Sequence, residues 1–377
     1  MKTKKFYIII VILFLTSIFS IVIFQKNNKK YIMQDGIMLA LTLDGESITT
    51  FPSGKNYSIE IGCNNATGKW DTENWKLLIN DIIGNVTCNL DFYTLTEDDK
   101  LKSVVESKSI RYTGSNNEEV GYRYSGKTPN NYVWFNNELW RIIGSIPTCT
   151  SSGCSTSEYL VKIIRNQSIG GIAYDVSGTT GAWGNNSLYK LLNNYYYGKK
   201  DGTNSGYCSG YSTSAKGNCD YTAKGIDANG FFAKMIKNVY WNTGLSSAEV
   251  TANQAYINET ATQTISGNVG IMNASDYGYA SDQAYHNTLL SKYNQRGNVN
   301  SNWIYGSGMD WTSTQSGTNA ALIIRYELFL DYSDGSGYLE SYSASGGDSV
   351  RPVVYLNSGV YVVSGDGSII NPYQIAM

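Results

Sequence analysis

Six cysteines, a single histidine and a late group of carboxylates are where chemistry would be sought in this 377-residue sequence. The cysteines fall into three local pairs: Cys63 with Cys88, Cys149 with Cys154, and Cys208 with Cys219. An even count behind a secretory-type N-terminus points to disulfides, although sequence alone does not fix connectivity. The competing readings are free thiols and zinc. Zinc fails on spacing, because no Cys-x-x-Cys occurs and His286 is far from every pair. In "AYHNTLL" that histidine has no nucleophile motif nearby, so a surface or helix-cap residue is expected. Asp310, Glu327, Asp331, Asp334 and Asp348 could in principle hydrolyse glycosides, which takes two opposed carboxyl groups. No spacing among them defines an acid–base pair, and solvated loops are their default. "LDYSDGSGYLE" does not match a calcium-binding loop. No catalytic residue, metal site or cofactor is implied.

Recognition without reaction is the other option. Tyr305, Tyr326, Tyr332, Tyr338 and Tyr342, with Asp334 among them, lie in one stretch rich in Gly, Ser and Asn. Tyrosine supplies contact area at small entropic cost, so these six residues form the candidate ligand site. Trp303 and Trp311, in the same stretch, are expected in the core.

The chain that must position these groups has 16% charged residues, 38 glycines and 31 tyrosines, a polar but weakly charged, β-rich composition. Its net charge of −2, with lysine and arginine scattered, excludes a nucleic-acid partner, which needs a concentrated basic patch. Phe6 to Phe24 is apolar except for Thr16, Ser17 and Ser20. As a helix it would span about 28 Å, close to the hydrocarbon thickness of a bilayer. Lysines flank it on both sides, which leaves the positive-inside rule undecided. No small-residue cleavage site follows. Residues 1–30 are therefore expected to be an uncleaved signal anchor, one transmembrane helix. Disulfides would place the bulk of the chain outside the cell.

Residues 31–95 read as a small all-β, sandwich-like module. "MLALTLDGESITTFP" is a hairpin turning at Asp44-Gly45, and "YSIEIGC", "NWKLLIND" and "VTCNLDF" add strands. Trp70 and Trp75 should fill a modest core, stapled by a Cys63–Cys88 bond. Residues 96–120 form a linker with a short helix in "TEDDKLKSVVES". Beyond it, "NYVWFNNELWRIIG" reads as two strands around Asn136-Asn137-Glu138. Apolar side chains of both parities suit burial on both faces, with Trp134, Phe135, Trp140 and Ile142 in the core. "NNSLYKLLNNYYYG" predicts a helix capped by Asn186 or Ser187, with Leu188, Leu191, Leu192 and Tyr195 on one face. "FFAKMIKNVYW" predicts a second helix over Phe231–Trp241, and "NVGIMNASDYGYA" a strand entering a turn. "AALIIRYELFL" and "RPVVYLNSGVYVVSGDGS" are late strands. Strands first and last with helices between argue for an α+β class.

The motifs "GYRYSGKTPNNYVWFNNELWRIIG", "WNTG", "VGIMNASDYGYA", "MDWTST" and "VRPVVYLNSGVYVVSGDGSIINPY", in that order, resemble a domain of surface and secreted proteins of Gram-positive bacteria. That domain is similar to the C-type-lectin-like group, which includes formylglycine-generating-enzyme-like folds. The segment from Met38 to Phe92 resembles small bacterial β-repeats that precede it. The resemblance implies a C-type-lectin-like domain over residues 121–377 at a cell surface. It also implies that the Asn131–Gly144 hairpin partners the Arg351–Leu356 strand, and that the insertion between Tyr285 and Gly347 carries binding. It does not carry over catalysis, since no cysteine follows Cys219. The sugar–calcium triplets Glu-Pro-Asn and Trp-Asn-Asp are missing too.

The expected function is a membrane-anchored extracellular binding or adhesion protein, without catalysis, whose partner is a glycan or a host or bacterial surface protein. The alternatives are a cell-surface hydrolase using the late carboxylates and a structural surface-layer component.

Overall fold

The computed structural model describes residues 22–26, 29–34, 36–114, 117–210, 216–293, 301–305, 309–327 and 336–377. They form a mixed α+β, sheet-rich protein whose chain divides into two units. The first comprises the residues up to Lys100 together with Tyr361–Gly365 and Tyr373–Met377. Its strands are β1 (Val22–Lys26), β2 (Lys29–Gln34), β3 (Ile37–Leu43), β4 (Glu46–Ile48), β5 (Tyr57–Asn64), β6 (Thr67–Asp71), β7 (Lys76–Asn80) and β8 (Thr87–Thr94). The sheet order is β1-β2-β3-β8-β5, with β4 on β3, and β6 pairs separately with β7. Asp44 and Gly45 turn β3 into β4 with φ of 49° and 87°, the backbone that a two-residue hairpin demands. Alternation along β8 buries Cys88, Leu90 and Phe92. Trp70 meets Phe92 edge-on at 5.6 Å. Trp75 is only half-buried and packs edge-on against Trp70 at 5.3 Å. Cys63 and Cys88 are directly opposed on β5 and β8 and are disulfide-bonded. Most of the expected anchor, Phe6–Phe24, lies outside the described residues; its last three residues are in β1. Among the described residues no helix is long and apolar enough to cross a membrane.

The second unit, Leu101–Val360 with Asp366–Pro372, opens with α1 (Leu101–Lys108). Leu101 and Val105 of this helix are buried, and Glu106 Oε1 accepts from Ser145 Oγ at 2.8 Å. A sheet follows from β9 (Ile110–Thr113), β10 (Glu119–Arg123), β11 (Tyr132–Phe135), β12 (Glu138–Cys149) and β13 (Ser157–Arg165). Strand β12 is its spine, antiparallel to β10, β11 and β13. Neighbours on its edges and packing on both faces bury Trp140 through Ile146 without a break. Asn136 and Asn137, at φ 53° and 60°, make the β11–β12 turn. Gly144 is required here: a Cβ would lie 2.0 Å from Tyr122 O, so only glycine lets β10 close on β12 and bring Arg123 opposite.

Next come β14 (Gly171–Ala173), α2 (Ser187–Leu191), α3 (Phe231–Lys234), β15 (Val239–Trp241), α4 (Ala252–Glu259), β16 (Ile265–Gly267) and α5 (Ala274–Tyr279). The unit closes with β17 (Asp310–Gly317), β18 (Ala320–Glu327), β19 (Ser336–Ser343), β20 (Gly347–Ser349) and β21 (Val353–Leu356). A second sheet runs β14-β20-β17-β18-β19. Two further strands, β22 (Tyr361–Ser364) and β23 (Tyr373–Ala376), pair with each other in the first unit. Trp311 is sealed by Tyr174 at 5.2 Å and donates its indole N–H to Ile172 O. Cys149–Cys154 and Cys208–Cys219 are both bonded.

Several expectations are corrected by where backbone groups find partners. Asn186 does cap α2, accepting from Tyr189 N–H at 2.8 Å. The helix then widens into a π turn over Leu192–Tyr196. The wider turn shifts the buried face, so Tyr196 is buried and Tyr195 is not. The helix expected over Phe231–Trp241 stops at Lys234, because Lys237 N–H donates to Tyr355 O and Val239–Trp241 pairs with β16. Trp134 is half-buried rather than core. Strand β21 pairs with β13, not with the β11–β12 hairpin. "NVGIMNASDYGYA" holds helix α5, which starts on a capping box of Asn273 and Asp276.

Candidate functional site

The tyrosines singled out from sequence do not share one loop. Tyr338 and Tyr342 lie on the same side of β19, four residues apart, and both are half-buried. The Tyr342 ring packs 5.9 Å from Trp311, and a Cβ on Gly346 would lie 2.3 Å from it. Tyr326 is in β18, opposite Gly337. Tyr305 is half-buried in the segment before β17. Tyr332 and Asp334, like Asp331, lie outside the described residues. Of the other late carboxylates, Asp310 accepts from Arg351 at 2.9 Å and from Ser349 Oγ at 2.7 Å. His286 caps a 3-10 turn, as expected of a cap residue. Its ring lies between Tyr112 (4.9 Å) and Tyr279 (5.1 Å), and burial holds its pKa down.

A group that sequence reasoning missed occupies the centre of the second unit. Arg123 from β10 and Lys162 from β13 converge on Asp276 in the first turn of α5. Arg123 Nη1 donates to Oδ1 at 2.8 Å, and Lys162 Nζ to Oδ2 at 2.5 Å. Lys162 also donates to Asn273 Oδ1 at 3.0 Å. Aromatic faces line both cations: Tyr279 and Tyr256 for Arg123, Tyr355 and Trp241 for Lys162. Burial pushes the Asp276 carboxyl upward, but the two cations outweigh it and hold it below the ordinary carboxylate range. Beside this group, Glu259 of α4 is buried and accepts from Thr314 Oγ1 (2.7 Å), from Ser275 N–H (3.1 Å) and from the Ser275 hydroxyl. Burial raises its pKa to about 7. The signal for the cations was present: "YLVKIIRN" puts a lysine inside an apolar strand, where a charge must be paired.

A second buried group surrounds Arg141 of β12. Its Nε and Nη2 donate to Asn131 Oδ1 (2.9 and 2.7 Å) and its Nη1 to Trp303 O (3.0 Å). The guanidinium is sandwiched between Tyr132 and Trp303, at 4.3 and 4.4 Å. Burial, with Arg351 nearby, lowers its pKa to about 10.

A cleft of about 440 Å³ opens beside β10, lined among others by Lys108, Arg123, Ser125, Asn130 and Asp366. Asp366 is held below the usual carboxylate range by the backbone N–H and hydroxyl of Ser368. The volume is within the range of small-ligand sites, and the lining offers a cation, a carboxylate, an amide and a hydroxyl. Among the described residues no cluster of His, Cys, Asp and Glu is arranged to hold a metal ion. No known protein family, curated protein or solved structure matches this chain. Chemically, Asp276 neutralises two buried cations, Arg141 is held by neutral acceptors, and the cleft presents polar groups to a small ligand.

Proposed function

We propose that the protein is an extracellular binding protein of a cell surface. The N-terminal apolar segment anchors it in the membrane, the first unit forms a sandwich-like spacer, and the second unit is a C-type-lectin-like head that engages a glycan or a surface protein. The observation that carries this reading is the set of three disulfides, one in the first unit and two in the second. Such bonds persist outside the reducing cytosol. The half-buried Tyr338 and Tyr342 on β19 support recognition, since a ring packed on one side and open on the other loses little entropy on contact. The test is an array of glycans and surface proteins probed with the full chain in detergent micelles. Saturable binding that weakens at least tenfold in a Tyr338→Ala/Tyr342→Ala variant is expected. Failure to bind any arrayed ligand, or six free thiols in the protein recovered from intact cells, would refute the reading.

A further inference from the structure

Lys162, Asn273 and Asp276 make an arrangement that exceeds what charge neutralisation requires. All three are buried, at 1–2% exposure. The Lys162 amine lies 3.0 Å from Asn273 Oδ1 and 2.5 Å from Asp276 Oδ2. It therefore touches a carboxamide and a carboxylate at once, under a roof of Trp241 and Tyr355. The carboxamide is fixed at both ends. Its Oδ1 accepts from Lys162 Nζ, and its Nδ2 donates to Asn242 O at 3.1 Å. Gly270 contributes to the roof: a Cβ there would lie 2.6 Å from the Trp241 ring.

We propose that Lys162 and Asn273 become joined by an intramolecular amide, an isopeptide cross-link from β13 to the start of α5, with Asp276 carrying the proton. Asp276 takes one proton from the Lys162 ammonium, and the freed lone pair attacks Cγ of Asn273. The Cγ–Nδ2 bond then breaks. The proton on Asp276 and the one shed by the attacking nitrogen leave with Nδ2 as ammonium. Atoms and electrons balance without oxidant, metal or co-reactant. Fixed contact between amine and carboxamide replaces a bimolecular encounter, and water that would compete for the carbonyl is excluded. Before reaction the pair is ionic: burial pushes the Lys162 pKa down, but the Asp276 carboxylate more than offsets it and the net direction is up. The opening proton transfer is therefore uphill and the step slow. It need occur only once in each molecule.

The full chain, disulfides reduced and unfolded, is digested and its peptides weighed. A branched peptide joining the Lys162 and Asn273 segments, lighter than their sum by one ammonia, is the expected result. It should vanish in Lys162→Arg, which keeps a cation against Asp276, and in Asn273→Ala. Linear peptides bearing an unmodified Lys162 and Asn273 in the natural protein overturn the proposal. A branch that lacks one water and ends on Asp276 overturns the assignment to Asn273. The natural protein is the deciding sample, so a variant that fails to fold leaves the test intact.

Discussion

Arg123 and Arg141 are buried in the same unit, at 2% and 8% exposure, and both lie against tyrosine rings. Their polar partners differ. Arg123 donates to a carboxylate that Lys162 shares. Arg141 donates only to the Asn131 carboxamide and the Trp303 carbonyl among the described contacts. The consequence is opposite in sign: Asp276 holds the Arg123 pKa up against burial, while burial takes that of Arg141 down to about 10. Glu259 extends the series to an anion supported by neutral donors, and burial raises it to about 7. A formal charge in a dry interior keeps its ordinary ionisation when an opposite charge touches it. Dipoles and aromatic faces alone leave a residue of the desolvation penalty.

Removing Asp276 should give the largest effect, because it converts the first situation into something worse than the second. Asp276→Ala strands Arg123 and Lys162 without an anion, and the helix α5 capping box is lost with it. Breaking a buried ion pair from one side costs about 3–5 kcal/mol. Denaturant unfolding of the second unit should show a loss of that size. A loss near zero would mean that the cations find other partners and that the contrast with Arg141 is empty.

Glu259 tests the neutral-donor case through pH. Its folded pKa, about 7, exceeds the ordinary glutamate value of 4.5. Between those two values the unfolded chain sheds its proton while the folded chain keeps it. The stability this group contributes is complete below pH 4.5, falls as pH rises, and is gone above pH 7. From the difference of the two pKa values the fall is on the order of 3 kcal/mol. Glu259→Gln should flatten this part of the profile. Its Oε1 can still accept from Ser275 N–H and Thr314 Oγ1, and its amide N–H can donate to the Ser275 hydroxyl. A natural protein whose stability is level from pH 4.5 to 7 would contradict the assignment.

The sequence was a good guide where local rules act alone. The Asp44-Gly45 turn, the cap at Asn186 and the short helix after Thr96 follow from neighbouring residues. It was a poor guide where distant partners decide. "FFAKMIKNVYW" has helical spacing, yet Tyr355 and β16 claim its backbone after Lys234. The tyrosine stretch looked like a loop, but Tyr338 and Tyr342 are on a strand with their rings partly in the core. The charged centre was hidden for the same reason: Arg123, Lys162 and Asp276 are separated by up to 153 positions. Only Lys162, set among apolar neighbours, announced that a buried partner had to exist.

Arg141→Lys should produce the smallest change and separates charge from shape. The cation is retained, so any loss reports what the planar guanidinium contributes beyond charge. A lysine amine at this site can satisfy Asn131 Oδ1 or Trp303 O but cannot reproduce the fork that holds both, nor stack flat between Tyr132 and Trp303. Loss of one or two hydrogen bonds at a buried site costs about 1–2 kcal/mol, well below the expected loss for Asp276→Ala. Unfolding by urea at neutral pH distinguishes the two. If Arg141→Lys were as damaging as Asp276→Ala, the guanidinium geometry and not the missing carboxylate would set the stability of this group, and Arg123 should then be equally intolerant of lysine.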